Sequence, residues 1–413
     1  MEIVAERVCG IDVHKEEVTA CLLTGHAGQK TTKQIRRFRT FTRDLVAMAE
    51  WLKANEVTHV GMESTGIYWR PIYAVLEEFT EFELIVGNAQ HMKSVPGRKT
   101  DVKDAEWIAL LIRNGLVRKS FVPPRDIRDL RDFTRYRRTL VQAHAAERNR
   151  LLKVLEMANI KLGSVASDVF GKSGMAMLNA IADGKANAEE LAGLALGVLR
   201  KKRVALISAL DGRVRAHHRF LLRIQLQRLA EIDETVAQLD ACIEERVKPY
   251  EDLIVLLCTI PGMKRVSAAA ILAEVGPDMA VFETADRLSA WGGVAPGNNE
   301  SAGKHRPESR RKGNVHLCTA LVEVSHAARN KKDSFLRSFY WRVKVRRGEK
   351  RAIVALAHKI LVISFHVLQG RQPYTELGAA YHDQANRRHA TAAALRRLQG
   401  LGYDVTLTEK KAA

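Results

Sequence analysis

Residues 7–15 read Arg7-Val8-Cys9-Gly10-Ile11-Asp12-Val13-His14-Lys15, and this stretch decides the reading of the first third of the chain. It is a short run of apolar and small residues ending on a carboxylate, the pattern of a buried strand that carries an acid at its end. Two apolar runs follow it, Glu17–Leu23 and the longer, alternating Thr31–Phe41, with a turn around Gly25–Gly28 between them. Thr42 then caps a helical stretch, Leu45–Ala54, whose apolar residues Leu45, Met48, Ala49 and Leu52 share one face. Val57–Met62 reads as a strand, Gly66–Phe79 as a helix, Phe82–Val86 as a strand and about Asp101–Arg113 as a helix. Pro123-Pro124 punctuates the end of this domain. The order predicts an α/β domain over residues 1–122: three strands able to pair antiparallel, then helix, strand, helix, strand, helix.

Beyond it the pattern changes to helices. Arg125 to about Ile160 is helical and strongly basic, Gly163–Asn187 is less regular and reads as loops or an insertion, and Glu189–Val247 is mostly helical. Leu222, Leu226, Leu229, Ile232, Val236, Leu239 and Ile243 repeat at heptad spacing. That spacing fits an antiparallel or intermolecular coiled coil, and equally one long packed helix. Residues 123–250 are therefore read as a helical, coiled-coil region with an insertion, and residues 251–375 as a separate carboxy-terminal domain. In the latter, Ile260-Pro261-Gly262-Met263-Lys264 followed by Ala268–Val275 reads as helix, tight turn, helix. A loop rich in Gly, Pro and Asn, Gly292–Gly313, precedes further helices from about Val315 to Gln369. Residues 376–413 form a polar tail to which the sequence assigns no role.

The composition is globular: 413 residues, 46% hydrophobic and 27% charged, enough for two or three cores. No run of roughly 18 apolar residues signals a transmembrane helix, and no secretory signal is visible at the start. Five scattered cysteines without a C-x-x-C pair argue against a disulfide framework or a zinc module and fit a reducing cytoplasm. Lys and Arg number 66 against 47 Asp and Glu, a net charge of +19, and the excess is unevenly placed. Residues 1–110 hold 14 basic and 16 acidic residues, residues 111–150 hold 11 and 4, and residues 301–351 hold 15 and 4. Phe133, Tyr136, Phe335, Phe339, Tyr340 and Trp341 are interleaved in the two basic stretches. Concentrated basic charge with aromatics points to a nucleic-acid partner. Neither stretch sets a clean apolar face opposite the basic one, so no membrane partner is expected.

Four carboxylates stand where chemistry could use them. Asp12 ends the first strand, Glu63 ends the fourth in Gly61-Met62-Glu63-Ser64-Thr65-Gly66, and Asp101 and Asp104 lie three residues apart on one helix face. In a ribonuclease-H-like sheet the first and fourth strands are neighbours and the last helix crosses them, which would bring all four together. Clustered carboxylates repel one another, and hard divalent cations such as Mg2+ or Mn2+ relieve that repulsion. A pair of such ions about 4 Å apart suits in-line phosphoryl transfer.

At this point the residues resemble a known family. Gly10-Ile11-Asp12-Val13-His14-Lys15, Glu63-Ser64-Thr65-Gly66 with Tyr68-Trp69, Asn88-Ala89-Gln90, and Lys99-Thr100-Asp101 with Asp104-Ala105 are similar to motifs of the DEDD-type insertion-sequence transposases. These are relatives of the Piv DNA invertases with a RuvC-like amino-terminal domain. Ile260-Pro261-Gly262, Trp291-Gly292-Gly293-Val294-Ala295-Pro296, Glu300-Ser301-Ala302-Gly303-Lys304 and Lys312-Gly313-Asn314 resemble that family's second, transposase domain. The resemblance spans residues 7–113 and about 253–370.

It implies a recombinase that excises and inserts a mobile DNA element, acting in the cytoplasm of a prokaryote. Asp12, Glu63, Asp101 and Asp104 would bind Mg2+, or Mn2+, and Ser301 would attack DNA to form a transient phosphoserine link. A noncoding guide (bridge) RNA would choose donor and target DNA, and the chain would work as a homo-oligomer, a dimer or tetramer. Met263-Lys264 stands where the family usually has Ile-Gly after Pro-Gly, and Ala302 precedes Gly303 where Gly is common. Lys304, Arg306, Arg310, Arg311 and Lys312 around the serine suit phosphate contacts, as do Arg135, Arg137 and Arg138 on the basic helix. The rival reading keeps the nuclease fold but uses water as nucleophile, as a hydrolytic DNA or RNA nuclease such as a junction resolvase would. An actin-like ATPase or sugar kinase also starts with a Gly-Ile-Asp strand, but it needs Gly-rich phosphate loops, and none is apparent near Glu63 or Asp101. A noncatalytic RNA-binding scaffold is the fourth reading.

Overall fold

The strand carrying Asp12, β1 (Arg7–Val13), occupies the middle of a five-stranded sheet of order β3-β2-β1-β4-β5. The chain is described by a computed structural model over residues 4–26, 31–64, 66–94, 104–184, 187–296, 300–301, 304–305 and 313–407. It divides into two compact units, residues 1–122 and 123–413.

In the first unit β1 pairs antiparallel with β2 (Glu17–Thr24), which pairs antiparallel with β3 (Thr32–Arg39). On its other side β1 pairs parallel with β4 (His59–Glu63), and β4 pairs parallel with β5 (Glu83–Gly87). The first and fourth strands are thus neighbours. Successive side chains point to opposite faces of a sheet, and the two faces are covered differently. Cys9, Ile11, Val18, Ala20, Leu22, Val60 and Met62 meet α1 (Thr42–Ala54) and α2 (Trp69–Leu76) on one face. Val8, Cys21 and Leu23 meet Ala105, Ile108, Ala109 and Ile112 of α4 (Asp104–Arg113) on the other; α3 (Ala89–Ser94) precedes it in the chain. Each large aliphatic side chain buried this way contributes about 1.5–3 kcal/mol of transfer free energy. The edge strand β3 is exposed along most of its length and rich in Lys and Arg, which discourages pairing with another sheet edge. The helix assigned by sequence to about 101–113 is seen from Asp104; Asp101 lies outside the described residues.

The second unit is mostly helical. Two long helices, α5 (Arg125–Met157) and α10 (Ala216–Val247), run antiparallel. Arg137 pairs with Asp240, and His144 lies 3.3 Å from Asp233, so partners ascend one helix as they descend the other. The heptad repeat of α10 therefore finds its partner within the same chain. Between these helices lie α6 (Leu162–Val165), α7 (Lys172–Asp183), α8 (Ala188–Gly193) and α9 (Arg203–Leu210). Met177, Leu178, Leu191 and Leu206 from this stretch share a core with Leu151 and Leu155 of α5 and Leu222 and Leu226 of α10. The irregular insertion is thus a small helical cap over one end of the hairpin.

The remaining elements are α11 (Glu251–Cys258), α12 (Arg265–Val275), α13 (Ala285–Trp291), the two-residue strands β6 (Glu300–Ser301) and β7 (Lys304–His305), α14 (Val315–Ala328), α15 (Phe335–Arg347), α16 (Glu349–Gly370) and α17 (Tyr381–Gly400). Helix α16 is long and apolar enough to cross a membrane, but more than half of its apolar window is buried inside the protein, including Leu356, Ala357, Ile360 and Leu361. It is the core helix of this part. Gly262, at φ +85°, fits the turn between α11 and α12, where a Cβ would sit 2.4 Å from the Ala328 amide nitrogen. That turn is pressed onto the end of α14.

Candidate active site

Two paired glycines position the acids. Gly10 of β1 and Gly61 of β4 are direct neighbours across the parallel ladder. A Cβ on Gly10 would stand 2.2 Å from the Ala105 carbonyl oxygen and 2.3 Å from the Ala109 amide nitrogen. A Cβ on Gly61 would stand 1.8 Å from Cδ1 of Ile112. Helix α4 therefore lies directly on the sheet backbone, at an approach that only glycine allows.

Asp12 and Glu63 are two residues beyond Gly10 and Gly61, so strand alternation sends both side chains to the face that α4 covers. Asp104 opens α4, one residue before the Ala105 that rests on Gly10. The three acids share one corner of the sheet. The Asp12 side chain is 27% exposed, and this partial burial lifts its carboxyl above the ordinary aspartate range. His14 opposes the rise by its charge and by a 3.2 Å hydrogen bond from Nε2 to Oδ2, while the charges of Asp104 and Glu63 add to it. Carboxylates gathered so that their charges make Asp12 costlier to ionise form a donor set suited to a hard divalent cation. Among the described residues no three such side chains are close enough to hold an ion by themselves. The fourth predicted ligand, Asp101, lies outside the described residues. Asn88 accepts a 3.3 Å hydrogen bond from the His91 amide at the start of α3, and Trp69 opens α2.

In the second unit, β6 and β7 form a hairpin in which Ser301 pairs with Lys304 and Glu300 with His305, leaving Ala302-Gly303 between them. Only the backbone of Ser301 and Lys304 is described, and Arg306, Arg310, Arg311 and Lys312 lie outside the described residues. The base of this loop is closed by backbone contact: a Cβ on Gly313 would stand 2.3 Å from the Gly293 amide nitrogen, and the Asn314 amide donates to the Trp291 carbonyl at 3.1 Å. Asn314 also caps α14, its Oδ1 accepting from the His316 and Leu317 amides at 3.1 Å.

The Asn314 side-chain Nδ2 donates to Oε2 of Glu274 at 2.6 Å, a residue that the sequence does not single out. Glu274 is buried at the end of α12 and takes a bidentate pair of hydrogen bonds from Arg135 at 2.7 and 2.8 Å. Arg131 donates to the carbonyls of Ala273 and Glu274 at 2.9 and 2.7 Å, satisfying the end of that helix. Burial alone would raise the Glu274 carboxyl; the Arg135 hydrogen bonds, the charges of Arg131 and Arg135, and the Asn314 amide hold it below the ordinary range. The other two arginines singled out by sequence are also engaged, Arg137 with Asp240 and Arg138 with Glu323 at 2.7 Å. Nothing in one sequence marks Glu274, because its partners come from positions up to 143 residues away.

Comparison with known proteins bears on both regions. Residues 9–160 match a family model described as a transposase, of the DEDD IS110 type, and residues 255–341 match one described as the transposase IS116/IS110/IS902 family. The chain is 29% identical over 150 residues to the "Insertion element IS900 uncharacterized 42 kDa protein" of Mycobacterium paratuberculosis, covering 35% of this chain and 36% of that protein. It is 30% identical over 148 residues to the "Transposase for insertion sequence element IS1111A" of Coxiella burnetii (strain RSA 493 / Nine Mile phase I), covering 34% and 40% respectively. The chain thus spans well under half the length of the curated relatives it matches.

Proposed function

We propose that the chain is a transposase of the IS116/IS110/IS902 family, on the two family models that match residues 9–160 and 255–341, and that it cuts and rejoins the DNA of a mobile element by metal-dependent phosphoryl transfer. The observation that carries this reading is the meeting of Asp12, Glu63 and Asp104 on the face of the sheet where α4 lies against Gly10 and Gly61.

In this reading Asp12, Glu63, Asp104 and Asp101 would hold the cation. Bound there, Mg2+ or Mn2+ would polarise the phosphate under attack and offset the charge that builds on it. Ser301 supplies the nucleophile: a bond forms from its Oγ to phosphorus as the bond to the departing strand oxygen breaks, and the hydroxyl proton leaves Oγ as that strand oxygen gains one. Attack by a hydroxyl of the new strand reverses the exchange, restores the phosphodiester and frees Ser301. One ester replaces another at each step, so rejoining needs no external energy source. Lys304, Arg306, Arg310, Arg311 and Lys312 would grip duplex phosphates beside the serine. Arg135, Arg137 and Arg138 contribute less, their charges being offset by Glu274, Asp240 and Glu323. A noncoding guide RNA and a dimer or tetramer complete the proposal, on the strength of the motif resemblance.

Incubation with DNA carrying the element's ends and Mg2+ tests it. Strand cleavage should vanish in Asp12→Asn, and a covalent protein–DNA species should vanish in Ser301→Ala. Cleavage that survives Ser301→Ala but not Asp12→Asn would replace the serine by water and make the protein a hydrolytic nuclease.

A further inference from the structure

The sequence shows four aromatic residues in the basic stretch that forms α15, and the fold separates them. Phe335 and Tyr340 are buried, while Trp341 is 46% exposed. Residues 331–351 hold nine basic and two acidic residues. Of the two acids, Glu349 is engaged by Arg329 at 2.6 Å and lies 3.9 Å from Lys344. Arg337, Arg347, Lys350 and Arg351 have no carboxylate partner among the described residues.

Around Trp341, helical spacing puts Arg337 and Ser338 one turn before it, and Lys344 and Val345 one turn after, on the same face. The Lys344 ammonium lies 4.5 Å from the indole centroid. Trp341, Arg337, Ser338 and Lys332 line a shallow depression of about 370 Å³ in which Asp333 is the only carboxylate among the described residues. A large exposed indole costs the fold an apolar surface in water and contributes little to its core. Set beside Arg337, Lys332 and Lys344, it has the composition of a platform for a nucleobase whose phosphates are gripped on either side. A paired base in a duplex hides its faces in the stack, so the ligand must be unpaired.

We propose that α15 binds an unpaired strand of nucleic acid, one base stacking on Trp341 and the adjoining phosphates meeting Arg337 and Lys344. This rests on the transposase reading for the presence of nucleic acid, but it assigns a separate site and a separate strand state.

The test uses the full chain with a 12-nucleotide RNA, the DNA strand of the same sequence, and the corresponding DNA duplex. Trp341→Ala should weaken single-strand binding about tenfold or more while leaving duplex binding within about twofold, and Trp341→Phe should retain most of the affinity. The salt dependence should be unchanged in Trp341→Ala, whereas Arg337→Ala should flatten the single-strand slope by about 0.7 logarithmic units. Greater loss on the RNA assigns the face to RNA, greater loss on the DNA assigns it to a displaced strand, and equal loss supports the shared stacking chemistry. Equal weakening of duplex and single strand, or none, overturns the proposal. Cleavage by Asp12→Asn separates it from the transposase reading, since failure of that variant to abolish cleavage would sink that reading and leave the strand-binding result intact.

Discussion

Asp12 and Glu274 are both partly or fully withdrawn from water, but burial prevails at Asp12 while the arginine pairing prevails at Glu274. For Asp12 the folded carboxyl lies above its ordinary value of 3.8, so the fold favours the protonated form and loses stability as pH rises through that range. Asp12→Asn, neutral at every pH, should therefore raise Tm near neutrality by roughly 1–3 °C while removing cleavage. The gain should shrink to nothing below about pH 3.8, and a Tm that drops at neutral pH would refute the electrostatic account. Glu274 behaves conversely. Its folded carboxyl lies below 4.5, so its contribution is fully present above that value and is lost as pH falls through the folded pKa. Glu274→Gln removes the carboxylate that takes the bidentate pair from Arg135 and should cost roughly 3 kcal/mol at neutral pH. Denaturant melts of mutant and wild type should converge in acid; a constant gap would mean that shape, and not charge, holds the loop base.

At the scale of elements, the sheet and α4 are positioned by what Gly10 and Gly61 lack. Gly10→Ala puts a carbon 2.2 Å from the α4 backbone, and a helix backbone cannot rotate away as a side chain can. The helix must lift, at a cost of about 1–3 kcal/mol, and Asp104 moves with it. Cleavage should fall at least tenfold, though no proposed ligand or nucleophile has been touched. Gly193→Ala, where nothing lies within 4 Å of the added carbon, is the control and should leave stability and cleavage alone. The strand order and this helix were legible in the sequence because apolar runs and turn residues report local structure directly. The glycines were visible too, inside the motif, but their purpose was not: a missing side chain has meaning only against the surface that approaches it. The heptad of α10 shows the same limit. Its spacing marks an apolar seam, and only the Arg137–Asp240 and His144–Asp233 pairs identify α5 as the partner.

At the scale of the whole molecule, charge and chemistry are divided between the two units. Residues 1–122 hold 17 basic and 16 acidic residues, and residues 123–413 hold 49 and 31. Each unit has a core of its own, so each should fold when expressed alone. Residues 123–413 should carry nearly all duplex affinity, falling about a thousandfold or more between roughly 50 and 200 mM salt if six or more phosphates are met. Residues 1–122 should bind duplex weakly and with little salt dependence. Electrophoretic titration at several salt concentrations decides this, and comparable slopes for the two fragments would contradict it.

The sequence by itself determined the resemblance to IS110-type transposases, the alternation of strands and helices in the first unit, the helical character of the second, and the acids and serine on which the chemistry is proposed to rest. These are properties of composition, spacing and local motif, which one chain displays in order. Only the tertiary structure decided which faces meet: that Asp12, Glu63 and Asp104 share a corner, that Arg135 serves a buried Glu274 that also holds Asn314, and that Trp341 stays exposed while Phe335 and Tyr340 enter the core. The physical reason is that burial and pairing are set by residues distant in the chain, whose approach the local pattern does not record.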